Sequence, residues 1–294
     1  MTDGRTLVAI GSQAVESTRY PGNIEPRGAV WTSGDGVTWQ VFPDPTAASP
    51  AAGWLPAFTS IVSTPIGFAA TAMERDASTG LDQASVWLIT ATEPVMLARG
   101  GELTGSTMAA VTWTGTQLVA VGWRRGGLAT DGSQLPDQAV TWRSTDARSW
   151  SRIELPVGLG TGEMRSVAVL GRTIVAAGVD SSFKHAVLWR SADGGQWQRT
   201  DLPRVPFDPS NGPIVQATAN GFVVIMQGPP VTALTSPNGV EWSAVAPPRD
   251  PAAASLARVG GSTALPGDRL LIVGSRPSGE VRHATVPAGI LLSP

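Results

Sequence analysis

The chain has 294 residues, a net charge of -2 and only 15% charged residues, against roughly 25% in ordinary soluble domains. With 11 tryptophans and 42% hydrophobic residues it is too apolar for a disordered chain, and with so little net charge it has no global basic field for nucleic acid or an anionic membrane. It contains no cysteine, which excludes disulfides and thiolate-based metal sites.

In chain order, a short apolar strand recurs six times: Leu7–Gly11, Phe68–Ala72, Leu118–Gly122, Ile174–Gly178, Phe222–Met226 and Leu270–Gly274. Downstream of each lies a second signature. It is clearest at 29–39 (AVWTSGDGVTW), 139–150 (AVTWRSTDARSW) and 186–197 (AVLWRSADGGQW), with weaker copies at 85–94, 232–242 and 283–289. The spacing defines repeats of roughly 50 residues, at about 1–50, 51–103, 104–157, 158–206, 207–250 and 251–294. β-Branched residues and turn signals dominate each repeat, and no apolar 3.6-residue period survives the 34 glycines and 24 prolines, so long helices are excluded.

The third repeat shows four strands: a, Met108–Trp113; b, Leu118–Gly122; c, Ala139–Ser144; d, Trp150–Leu155. A four-stranded unit cannot bury both faces alone, so units stack face to face. The expected architecture is all-β: one domain over 1–294, a six-bladed β-propeller of four-stranded antiparallel blades. Only Met1–Thr6 precede the first apolar strand, too short for a strand a, so the first blade is expected to have three strands.

Between strands c and d the chain repeats S-x-[D/N]-[G/A]-x-x-W. The copies are Ser33, Asp35 and Trp39; Ser144, Asp146 and Trp150; Ser191, Asp193 and Trp197; Ser236, Asn238 and Trp242. An Asp or Asn side chain accepts hydrogen bonds from its own turn, Gly suits the left-handed position beside it, and Trp lays a large ring between sheets. These residues are expected to be structural, with the four tryptophans buried. The motif resembles the Asp-box (BNR) repeat of sialidase-like and sortilin-like propellers. That resemblance implies boxes on the rim opposite the ligand face.

It also implies, for a sialidase, an arginine triad, a Tyr/Glu nucleophile pair late in the chain and an Arg-Ile-Pro signature. The signature is missing here, and Tyr20, the only tyrosine, shares one early loop with Glu25. No nucleophile elbow, phosphate loop or metal-binding pattern occurs, so no catalytic residue, metal or cofactor is assigned. Glu74, Asp76 and Asp131 are the acids most available to a divergent glycoside hydrolase, the alternative reading.

The long segments 12–28, 73–84 and 123–138 are b–c connections that share one rim, where binding usually resides. Candidate ligand-binding residues on that rim are Arg19, Tyr20, Arg27, Trp54, Arg75, Trp123, Arg124 and Arg125. His185 and His283 join Arg27, Gln83 and Gln138 in an arc where strand c leaves the rim. The leading reading is a non-catalytic propeller that engages a protein or carbohydrate there, with no nucleic acid partner and no membrane span. Family habit places it outside the cell or in a bacterial cell envelope, and the cytoplasm stays open because no leader is visible.

Overall fold

The computed structural model describes residues 6–16, 22, 24–42, 57–75, 82–90, 93–156, 158–202, 205, 207–228, 231–245, 258–265, 269–277 and 285–292. These residues form 22 strands and, among those described, no helix. The first sheet is β1 (Leu7–Glu16), β2 (Ile24–Ser33) and β3 (Gln40–Val41); the second is β4 (Ala57–Thr64), β5 (Gly67–Arg75), β6 (Asp82–Ile89) and β7 (Pro94–Thr104). The third comprises β8 (Ser106–Trp113), β9 (Leu118–Arg124), β10 (Gln138–Ser144) and β11 (Ser151–Glu154). The fourth is β12 (Gly162–Leu170), β13 (Thr173–Asp180), β14 (Ala186–Ser191) and β15 (Trp197–Asp201). The fifth is β16 (Ile214–Thr218), β17 (Gly221–Met226), β18 (Thr232–Ser236) and β19 (Ser243–Ala244). The last is β20 (Arg258–Leu265), β21 (Arg269–Pro277) and β22 (Thr285–Leu292).

Every sheet is a simple antiparallel meander. The first has three strands, as expected. Of the five sheets expected to be complete, four are. The sixth stops at three because β22 pairs with β21 along its whole length, Thr285 to Leu292, so Ile290–Leu292 extends the third strand instead of turning into a fourth. The expectation of six blades, five of them complete, is corrected to four four-stranded and two three-stranded sheets among the described residues.

The chain divides into two compact units, Met1–Arg125 with Val140–Ile153, and Gly126–Ala139 with Glu154–Pro294. In the first unit one core joins Val8 and Val30 to Phe68, Ala70, Ala72, Trp87 and Ile89. A second joins Ala69, Ala84 and Val86 to Met108, Leu118, Ala120, Trp142 and Trp150. In the second unit Val175, Ala177 and Leu188 pack on Phe222, Val224 and Leu234.

Four of the opening strands share one irregularity. β4, β8, β12 and β20 each shift register once, between Phe58/Ser60, Met108/Ala110, Met164/Ser166 and Val259/Gly261. Such a bulge leaves one residue unpaired and re-aims its side chain. In the first unit bulged Thr59 donates to the Met108 carbonyl at 2.7 Å, and Ser60 accepts from the Val111 amide at 3.2 Å. In the second, bulged Arg165 reaches the Pro209 and Ser210 carbonyls while Ser166 accepts from the Val215 amide at 3.0 Å. The bulges also explain the terminal glycines of the apolar strands. A Cβ on Gly122 would lie 1.8 Å from the Thr107 oxygen, and one on Gly178 would lie 1.8 Å from the Glu163 oxygen.

The Ser-x-Asp turns are alike in detail. Ser33 Oγ accepts from the Gly36 amide at 2.8 Å while Asp35 Oδ1 accepts from the Val37 and Thr38 amides at 2.8 and 2.7 Å. Asp146, Asp193 and Asn238 do the same in their turns. The fourth turn position is left-handed in all four: Gly36 at φ 75, Ala147 at 60, Gly194 at 74 and Gly239 at 75. The closing indole of Trp150 donates to the Ala147 carbonyl and that of Trp197 to the Gly194 carbonyl.

Trp150 and Trp197 are buried, as expected, but Trp242 is only half-buried and Trp39 is 42% exposed. Trp150 packs on Ala69, Ala84 and Val86 of the sheet before its own. Trp39 stands in the first described sheet and has no earlier described sheet to pack on.

Backbone amides of Thr38 and Val37 hold the Asp35 carboxyl down to about 2, and those of Ser149 and Arg148 do the same for Asp146. Their folded values lie below the ordinary 3.8, so their stabilisation is full above about pH 4 and is lost as pH falls toward 2. Carboxylate NMR titration of the native chain should find Asp146 near 2; Asp146→Asn should keep the turn, as Asn238 does, and flatten this part of the acid limb.

Gly239 tests the turn from its packed side. A Cβ there would lie 2.8 Å from Val175 Cγ2 at φ 75, whereas one on Gly132, at φ 81, meets nothing within 4 Å. Gly132→Ala should cost about 1 kcal/mol for the left-handed backbone alone. Gly239→Ala should cost about 2–4 kcal/mol in denaturant unfolding, the clash adding to the strain. Equal losses at the two sites would contradict this packing.

Candidate functional site

In the first unit the β5–β6 and β9–β10 ends carry several of the expected residues. Trp123 is half-buried, Arg124 and Arg125 are exposed, and Arg125 Nε lies 3.5 Å from Asp82. Arg27 and Arg75 fall in β2 and β5, with their side chains outside the described set. Arg19, Tyr20, Trp54 and His283 lie outside the described residues altogether, as does Asp76.

The other two acids proposed for a hydrolase have structural work. Glu74 is buried and pairs with Arg99 Nε at 3.0 Å, although neither carboxylate oxygen meets hydrogen-bond geometry. Asp131 accepts from the amide and hydroxyl of Ser133 at the tip of its own turn, which holds its carboxyl below the usual range.

The second unit gathers a denser group where β12 begins and β13 ends. Glu163 is buried on β12 and takes Arg165 Nε at 2.8 Å and Nη2 at 2.7 Å on one oxygen. Asp137, at the end of the β9–β10 connection, accepts from the Gly126 amide through its carboxylate at 3.0 Å and from the Gly162 amide through its carbonyl at 2.9 Å. Burial pushes Glu163 above the ordinary carboxylate range; Arg165 opposes the rise and Asp137 adds to it.

Beside them the β13–β14 connection folds into a tight turn. Asp180 accepts from the Lys184 and His185 amides and from Ser182, and its Oδ2 lies 2.8 Å from His185 Nδ1. Burial works to raise the Asp180 carboxyl, but the hydrogen bonds from His185 and Ser182 outweigh it and hold it at about 2. Nδ1–H donates to the Asp180 carboxylate, which fixes the orientation of the half-exposed ring. Phe183 sits at φ 55 with 39% of its surface exposed, and the Arg165 guanidinium lies 5.9 Å from its ring centre. A left-handed aromatic is rare, and strain of this kind clusters where ligands are held.

Sequence reading named His185, but it missed Glu163, Arg165, Asp180 and Phe183. A Glu and an Arg two positions apart at the start of an otherwise apolar strand were the available signal. Nothing in the sequence announces the left-handed backbone at Phe183.

No protein-family model matches the sequence, and no curated protein sequence does. Solved structures do. The NanB sialidase of Streptococcus pneumoniae superposes with a TM-score of 0.61 at 10% identity, over 99% of this chain and 67% of that one. An α-L-arabinanase of Penicillium chrysogenum gives 0.59 at 11% identity, over 93% of this chain and 89% of that one. The fold is a sialidase-like β-propeller. A Trypanosoma rangeli sialidase mutant gives 0.55 at 14% identity over 96% of this chain, which spans about half, 51%, of that protein. At these identities the likeness establishes the fold alone.

Glu74 separates a structural from a functional role. Arg99→Met leaves a buried carboxylate without its cation and should cost about 3 kcal/mol in denaturant unfolding; Glu74→Leu combined with Arg99→Met should recover most of that. A double variant as unstable as the single one would mean that Glu74 has another partner.

Proposed function

We propose that this chain is a non-catalytic carbohydrate-binding propeller, a single domain over 1–294 with Asp-box turns, working outside the cytoplasm or in the cell envelope. Its binding surface is the rim of long β-strand connections, and the described residues that carry it are Phe183 and His185. The single observation behind this reading is Phe183, an exposed aromatic kept in a strained backbone next to a histidine whose ring Asp180 orients. An aromatic face stacks on the C–H face of a sugar, and a fixed imidazole nitrogen takes a hydroxyl.

One feature weighs against hydrolysis at this group: Glu163 is closed off by burial and by its two bonds from Arg165. The neighbours support the ligand class in a general way: the Penicillium arabinanase was solved with arabinobiose.

A glycan array on the whole chain, followed by calorimetry on the best binder, tests the proposal. Phe183→Gly should weaken binding about tenfold or more while changing stability by no more than about 1 kcal/mol, because relieved left-handed strain offsets the added freedom of the unfolded chain. Unchanged affinity in Phe183→Gly would move the site elsewhere. Turnover of aryl glycosides by the native chain would replace the binding reading with a hydrolytic one.

A further inference from the structure

The backbone and the ring of Phe183 are fixed by different groups. The backbone belongs to the β13–β14 turn. There the Phe183 amide donates to the Asp180 carbonyl at 3.0 Å, the Asp180 amide donates to the His185 carbonyl at 3.0 Å, and the Asp180 carboxylate takes the Lys184 and His185 amides. None of these bonds sets where the ring points. An exposed phenylalanine has several staggered positions about its Cα–Cβ bond, and ordering it in one of them costs entropy. What lies over this ring is the Arg165 guanidinium, 5.9 Å from its centre.

Arg165 reaches the ring from a break in the β12 register. Met164 pairs with Gly178 and Ser166 with Ala177, so Arg165 is the residue left over. The other three bulges leave Thr59, Ala109 and Gly260 over, and of the four residues Arg165 alone is charged. Its guanidinium is held along its edges. Nε and Nη2 give to one Glu163 oxygen at 2.8 and 2.7 Å, and Nη1 gives to the Pro209 and Ser210 carbonyls of the β15–β16 connection. Glu163 is itself buried, and the Arg165 stem is packed closely enough that a Cβ on Gly212 would lie 2.7 Å from its Cδ. A planar cation whose edge donors are spent in two directions keeps its flat face for stacking on an aromatic ring.

We infer that Arg165 is the positioning residue of the Phe183 platform: clamped to Glu163 on one side and to the 209–210 carbonyls on the other, it holds the ring in one rotamer and leaves the opposite face to a ligand. The effect on affinity rests on the reading of Phe183 as the ligand platform; the effect on the ring rests on the contact alone. Lysine cannot replace it. A lysine carries charge to Glu163 but has no planar fork, so it cannot bond Glu163 and the two carbonyls together while lying against a ring. A ring ordered in advance spares the ligand the cost of ordering it, worth about threefold or more in affinity.

Three-bond couplings about the Phe183 Cα–Cβ bond, measured by NMR on the whole chain, should report one rotamer in the native chain and an average in Arg165→Lys. An arginine with a merely structural role would lower stability and leave these couplings alone, so unchanged couplings in the variant overturn the inference, as do averaged couplings in the native chain. If Arg165→Lys fails to fold, the Arg165 side-chain protons answer instead: the ring shifts them upfield in the native chain relative to Phe183→Gly, and identical positions in the two chains overturn the inference. Calorimetry with the glycan that binds the native chain best separates this inference from the reading it rests on. Arg165→Lys should weaken binding about threefold or more in the native background and not at all in Phe183→Gly. Equal weakening in both backgrounds means that Arg165 acts on the ligand without the ring, and overturns the inference. Averaged couplings in Arg165→Lys, with affinity unchanged there and in Phe183→Gly, uphold the positioning role and move the ligand site elsewhere.

Discussion

β4 and β12 must each lie against the next strand of their own sheet and also reach the sheet that follows, and the bulge is how one backbone does both. An unbroken ladder would spend every residue of β4 or β12 on its own partner. The register break after Phe58 or Met164 frees one residue, and Thr59 or Arg165 uses that freedom to bond a carbonyl beyond its own sheet. The same break pushes a carbonyl toward the neighbouring strand, which only glycine admits at Gly122 and Gly178. Sheet stacking in each unit then follows as apolar packing between elements already held at fixed spacing.

This constraint also accounts for what could be read from the sequence. The Leu-Val-Ala-Val-Gly and Ile-Val-Ala-Ala-Gly runs are visible because strand b is buried on both faces and ends where the bulge demands glycine. The Ser-x-Asp turns are visible because the Ser and Asp oxygens and the Trp indole N–H make their hydrogen bonds locally, within a handful of residues. The ends of the repeat were less legible. Ile290–Leu292 looks like a fresh strand by pattern, yet nothing between Pro287 and Gly289 turns the chain, and the ladder simply continues. Trp39 carries the same motif as Trp150, but burial of a turn tryptophan depends on a neighbouring sheet that its own sequence cannot specify.

The site was harder still, for a different reason. Its residues come from the end of one connection (Asp137), the start of β12 (Glu163 and Arg165) and the next turn (Asp180, Phe183, His185), with no fixed spacing among them. Charge type alone misleads, because a rim carboxylate such as Glu74 serves an internal ion pair while Asp180 serves to aim a histidine. What distinguishes them is burial and partner geometry, which appear only once the strands are paired.

Within the fourth sheet the two kinds of feature are kept apart by one short strand. β14 runs from Ala186 to Ser191, so His185 and the strained Phe183 precede it while the Ser191–Asp193 turn follows it. Six residues at about 3.3 Å each set these ends roughly 20 Å apart. At one end Asp193 and the Trp197 indole are bonded to the turn's own backbone and the tryptophan is buried, which closes that end chemically. At the other, an aromatic is held exposed in an unfavourable conformation and an imidazole is held half-exposed in one orientation. Strain at Phe183 is tolerated because the strand between is pinned on both sides, by β13 from Val179 to Ile174 and by β15 from Asp201 to Trp197. Residues of the 181–185 connection can therefore change what the rim meets without passing through the turns that hold the sheet, which is the division of labour a binding scaffold requires.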